Sequence, residues 1–125
     1  MSLMSKFEVS TVFVVSMVLP SLCVAAEVQS ASIDEARGLI SIDVAYHGCK
    51  QHSFELDLQL CRESVPVHCE AKLVDKTTDD FCDARTSSKV EIQLQSVGLT
   101  DPYYSNGVLR ISGDAGSTAT VILPQ

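Results

Sequence analysis

The chain has no tryptophan, and only nine lysines and arginines stand against sixteen aspartates and glutamates, a net charge of −7. So few cations on an acidic surface exclude two partner classes, because phosphate backbones and anionic lipid headgroups are repelled. Neither nucleic acid nor a membrane surface is expected as a partner. The missing tryptophan removes the ring that true immunoglobulin domains bury against their intersheet disulfide. No apolar run reaches the roughly 20 residues that a bilayer span needs. There is no G-x-S-x-G, no H-E-x-x-H and no phosphate-binding glycine loop, so those hydrolase, metallopeptidase and nucleotide chemistries have no carrier. No repeat, low-complexity tract or linker-like segment divides the 125 residues, which points to one domain. No cofactor and no enzymatic activity are expected.

What is present begins with an export signal over residues 1–26. Lys6 supplies the positive start, and an apolar stretch of about nine residues follows, Thr11 to Leu19. Pro20 breaks it, and Val24-Ala25-Ala26 is a small-residue cleavage pattern. Cleavage after Ala26 would leave residues 27–125 as the mature domain, in the periplasm or outside the cell, with no membrane span left. Lipid attachment at Cys23 is the rival fate, but Leu22 is larger than the residue that lipoprotein signals place before the cysteine. Removal of Cys23 with the signal leaves four cysteines, Cys49, Cys61, Cys69 and Cys82. An even number in a small exported domain reads as two disulfides, because the compartment is oxidising and the core is small.

The apolar residues alternate with period two, the mark of half-buried strands. Strands are expected over Val28–Ile33, Leu39–Tyr46, Phe54–Leu60, Val67–Asp75, Val90–Leu94, Val108–Ser112 and Ala119–Leu123. Gly38 closes a turn after the first, and Gly113-Asp114-Ala115-Gly116 joins the last two as a hairpin. The only capped helix start, Ser32 to Arg37, meets Gly38 too soon to propagate. The fold class is therefore all-β, an antiparallel β-sandwich of about seven strands with immunoglobulin-like architecture.

Four cysteines allow three pairings. If the third and fourth strands form a hairpin, matching their apolar faces sets Leu60 against Ala71 and Leu58 against Leu73. The same register places Cys49 opposite Cys82, Glu55 opposite Lys76 and His52 opposite Asp79. Cys61 and Cys69 fall at the mouth of the connecting loop, one step out of register. The expected bridges are nested, Cys49–Cys82 outside and Cys61–Cys69 inside.

Gly48-Cys49-Lys50-Gln51-His52-Ser53-Phe54, with Glu63-Ser64-Val65-Pro66-Val67 and Asp80-Phe81-Cys82-Asp83-Ala84, resembles a group of small exported or lipid-anchored bacterial proteins of unknown function. Their pattern is roughly G-G-C-x-x-H-x-F, then E-S-x-P-V, then D-x-C-x-A. The chain departs from it at His47, where the group has glycine, and in carrying Cys61 and Cys69. The resemblance implies an exported β-rich domain in which Cys49 and Cys82 act together. It implies no activity.

Three constellations could carry chemistry. His47, His52 and His68 lie beside cysteines, and thiolate with imidazole at short spacing binds zinc or copper. A disulfide sulfur is a poor ligand, so this metal-handling reading needs reduced cysteines; so does a Cys–His nucleophilic pair. His52 shares the parity of Phe54 and Leu56, which suits a buried histidine with a carboxylate partner. Asp79, Asp80 and Asp83 crowd one turn but lack the glycine and spacing of a calcium loop; a solvated acidic turn is expected. Tyr103 and Tyr104 sit on a loop, where adjacent tyrosines offer large contact area at low entropic cost. The opposing expectation is that one ring packs on the sandwich end and the other shields it. Together these features describe a non-catalytic exported binding or structural module, such as an inhibitor or envelope protein, whose partner is an unspecified protein or small ligand. The alternative is exported metal handling through Cys and His.

Overall fold

The computed structural model describes residues 26–125. The expected signal and Cys23 lie outside the described residues, apart from Ala26. Seven strands form two sheets. One holds β1 (Glu27–Asp34), β2 (Leu39–His47) and β5 (Arg85–Gln93), in the order β1-β2-β5. The other holds β3 (Phe54–Arg62), β4 (His68–Asp75), β6 (Val108–Ser112) and β7 (Thr118–Ile122), in the order β3-β4-β6-β7. The described residues are all-β, and the two sheets pack face to face as a sandwich. Alternation builds the interior directly: Ile40, Ile42, Val44 and Tyr46 point to one side of β2 and are at most 1% exposed. They meet Leu56, Ala71, Leu73, Leu109, Ile111 and Val121 from the other sheet. No helix among the described residues is long and apolar enough to cross a membrane.

The sandwich departs from immunoglobulin connectivity. There the third strand lies beside the sixth. Here the fourth strand does, and β4 and β6 run parallel, from His68↔Val108 to Lys72↔Ser112. Every other pair is antiparallel. The parallel pair fixes which loops share an end of the molecule. The segments that precede β4 and β6, residues 63–67 and 94–107, emerge together. The β1–β2 turn joins them, since Leu94 N–H donates to Gly38 O at 2.9 Å. Residues 48–53, the 76–84 loop, the 113–117 hairpin and Ala26 occupy the opposite end.

The β3–β4 register differs from the expected one by two residues. Leu56 faces Leu73 and Leu58 faces Ala71. A shift of two leaves every side chain on its own face, so apolar alternation cannot distinguish the two pairings. A bulge between Leu58 and Leu60 then inserts one extra residue. It breaks the alternation, turns Leu60 outward to 53% exposure and sets Cys61 directly opposite Cys69. Glu55 consequently faces Val74 in the ladder, yet Lys76 still reaches it diagonally, Nζ to Oε1, at 3.5 Å. β5 starts at Arg85, five residues before the expected Val90. Arg85-Thr86-Ser87-Ser88-Lys89 shows no apolar period; pairing with β2, from His47↔Arg85 onward, makes it a strand.

Candidate functional site

The two ends of the sandwich are built differently. At the first, the chain is locked. Cys49 and Cys82 are bridged, with Cα atoms 5.6 Å apart. Both cysteines sit in loops beyond the β3–β4 ladder, so the bridge joins the 48–53 segment to the 76–84 loop. Behind it lies a buried polar cluster. The His52 ring stacks on Tyr46, centroids 4.1 Å apart and planes 25° from parallel. Its Nδ1 meets Asp75 Oδ2, and its Nε2 meets Asp80 Oδ2 at 2.9 Å. The Tyr46 hydroxyl accepts from the His52 backbone N–H and donates to the Lys50 carbonyl at 3.0 Å. The histidine and Asp80 side chains are only 5% and 3% exposed.

Where both carboxylates are ionised they only accept hydrogen bonds, and this geometry then favours the imidazolium form of His52, with both ring nitrogens donating. Burial by itself would lower its pKa, but the hydrogen bonds and charges of Asp75 and Asp80 outweigh that, and the pKa is raised. Asp80 is held far below the ordinary carboxylate range, first by the Lys50 backbone N–H, then by His52 and the Cys82 and Cys49 N–H groups. Its Oδ2 accepts from the Cys49 and Lys50 N–H groups at 2.9 Å each, and its Oδ1 from Cys82 N–H at 3.2 Å. Gly48 makes this crowding possible: a Cβ there would lie 2.4 Å from Asp80 Oδ2 and 2.6 Å from His52 Nε2. The G-C-x-x-H and D-x-C segments are thus two halves of one knot.

Two expectations are corrected here. The carboxylate partners of His52 are Asp75 and Asp80; Asp79 instead pairs with Lys50 at 3.1 Å. The two-residue register difference is the reason, because it moves Asp79 beyond the ladder and leaves Asp75 at its end. Nor is the acidic turn wholly solvated, since the Asp80 side chain is tucked into it at 3% exposure. The three histidines do not converge. His47 sits 3.7 Å from Asp83, and both nitrogens of His52 are occupied. His68 starts β4 whereas Asp75 ends it, a separation of roughly 23 Å at strand rise. The four cysteines among the described residues are spent on two bridges. Among the described residues, no three His, Cys, Asp or Glu side chains are grouped to hold a metal ion. Tyr46 and Asp75 are the members of the cluster that sequence reasoning missed, and the close approach at Gly48 was not foreseen; the short spacing of Gly48, Cys49 and His52 was the available signal.

The second end is open. A cleft of about 420 Å³ has a mixed lining, the apolar Leu94, Leu99, Pro102 and Pro124 together with the polar Glu35, Thr100, Asp101, Ser105 and Gln125. Asp101 shapes this loop, because its Oδ1 accepts from Tyr103 N–H at 2.9 Å and caps the short 3-10 turn over Pro102–Tyr104. Tyr103 and Tyr104 meet edge to face, centroids 5.0 Å apart. Tyr104 packs against the core, whereas Tyr103 is 50% exposed. Val65, in the 63–67 loop of the same end, is fully exposed. Ser64 Oγ braces that loop by donating to Pro66 O at 2.7 Å, and the Val65–Pro66 peptide is cis.

No protein-family model, curated protein or solved structure matches the chain. The functional reading therefore rests on this geometry.

Proposed function

We propose that the protein is an exported, non-catalytic binding module that presents its open end to a partner. The two disulfides suit an oxidising compartment, and residues 1–26 read as the signal that would take it there. The observation that carries the reading is that an exposed tyrosine, an exposed valine and a cleft of mixed polar and apolar lining occur at the same end of the sandwich. Exposed aromatic rings are common anchors of recognition surfaces. Glu35 and Asp101 in the cleft lining favour a partner segment that brings a cation or hydrogen-bond donors alongside an apolar group. The histidine–aspartate knot at the far end keeps the frame stiff and is itself closed to ligands. Inhibition of a secreted enzyme and a role in envelope assembly both fit such a module.

The test is capture from the native envelope fraction with wild-type protein, Tyr103→Ala and Phe81→Ala. Phe81 is 92% exposed at the locked end and serves as the control. Tyr103→Ala should lose the captured partner while its thermal midpoint stays unchanged, and Phe81→Ala should keep it. The opposite pattern would move the binding surface to the other end and refute the proposal.

A further inference from the structure

The 113–117 hairpin holds Ala26 as part of the folded domain. Ala26 is 1% exposed, and one residue binds its backbone on both sides. Its N–H donates to Asp114 Oδ2 at 3.1 Å, and its carbonyl accepts from Asp114 N–H at 2.8 Å. Two positions on, Val28 N–H donates to Ser117 Oγ at 3.0 Å, and that hydroxyl donates to Asp114 O at 2.7 Å. Gly113 shows how closely the hairpin fits. A Cβ there would lie 2.9 Å from Ala26 O, Val28 Cγ2 and Ser117 Oγ alike. These contacts tie the first strand of one sheet to a hairpin of the other. Cleavage after Ala26 would discard a residue that the sandwich buries and hydrogen-bonds.

We infer that the leader is cut between Ala25 and Ala26, and that the α-ammonium so formed pairs with the Asp114 carboxylate. The inference rests on the export reading above. Hydrolysis of that peptide bond puts the water hydroxyl on the Ala25 carbonyl carbon, which leaves as a carboxylate. The Ala26 nitrogen takes the remaining hydrogen and a proton from solvent, becoming the cationic terminus. Ala25 and Cys23 supply the small residues one and three places before the bond that leader cleavage requires. The neutral N–H that faces Asp114 becomes a charged donor at the same place, and charge-assisted hydrogen bonds are the stronger kind. The cut thus turns a backbone contact into an ion pair that pins the new chain end to the β6–β7 hairpin.

Intact-mass measurement and amino-terminal sequencing of the oxidised protein, recovered from the exported fraction of cells expressing the full chain, decide the site. A chain that begins at Ala26 is the expected result. One that begins at Glu27, or at a lipid-bearing Cys23, overturns the inference and leaves export standing. An uncut chain that begins at Met1 and stays in the cytoplasm overturns the export reading itself. The ion pair has a separate readout in the amine titration of Ala26, followed by NMR. Asp114→Asn keeps an acceptor for the folded hairpin but removes the charge, and should lower the amine pKa by about one unit. An unchanged titration would show that Asp114 does not hold the terminus.

Discussion

Removing the two disulfides one at a time should cost different amounts, and the difference follows from where each lies in the chain. Cys49–Cys82 spans 33 positions and Cys61–Cys69 spans 8. In the chain-entropy model a bridge acts on the unfolded ensemble, stabilising by about 3.7 kcal/mol for the longer loop and about 2.5 for the shorter. The gap, about 1.2 kcal/mol, depends only on the ratio of loop lengths. It corresponds to a difference of roughly 5–10 °C in thermal midpoint for a domain of this size. Packing could obscure it, because Cys69 is buried at 1% exposure and truncation there also loses core contacts. The design that removes this term is a pair of single-bridge proteins, Cys61→Ala/Cys69→Ala and Cys49→Ala/Cys82→Ala. Each is unfolded in urea both oxidised and reduced, so that the alanine packing cancels within each protein. The protein that keeps Cys49–Cys82 should lose more stability on reduction than the one that keeps Cys61–Cys69. Equal losses, or a larger loss for the short loop, would refute the loop-entropy argument and place the effect in the native packing around the β3–β4 bulge.

Stability should also depend on pH with a definite sign. The His52 pKa is raised above its ordinary 6.5, so its contribution is complete below about pH 6.5 and is lost as pH rises through the folded value. Asp80 is lowered from 3.8, so its contribution is present above about pH 3.8 and fades as pH falls further. Urea midpoints should therefore be highest between about pH 4 and 6.5 and decline toward pH 9, and His52→Gln should flatten the upper decline. Gly48→Ala pushes a methyl group into Asp80 and His52 and should cost about 1–3 kcal/mol, measured by chemical denaturation. Tyr104→Ala, which unpacks a ring from the core, should lower stability by about 1–2 kcal/mol. Tyr103→Ala should stay within about 0.5 kcal/mol; a large loss there would mean that the exposed ring supports the fold.

The strands were legible wherever one face is buried and the other wet. Ile40 to Tyr46 and Val108 to Ser112 declare themselves by alternation alone, and Gly38 and Gly116 mark turns that need positive φ, at 65° and 74°. Arg85 to Ser88 was not legible. Those side chains carry no apolar period, and only the neighbouring β2 backbone makes them a strand. Leu60 was misread for a similar reason: it continues the pattern of Phe54, Leu56 and Leu58, but the bulge before it turns it outward. The Cys49–Cys82 bridge did not follow from strand register at all, because both residues lie in loops outside the ladder. The Tyr103–Tyr104 loop was visible as a loop; which ring faces solvent was not.

The sequence by itself determined the layered β architecture and the presence of four cysteines after residue 26, because side-chain period and residue count are local properties that survive any arrangement of the loops. Only the tertiary structure decided that β4 and β6 run parallel, that Asp80 is the buried acid while Asp79 stays outside, and that Val65 and Tyr103 share an end with the cleft. Each of those depends on segments distant in the chain being brought together. The raised pKa of His52 is the clearest case: it comes from Asp75 and Asp80, which lie far along the chain and adjoin the ring only in the folded domain.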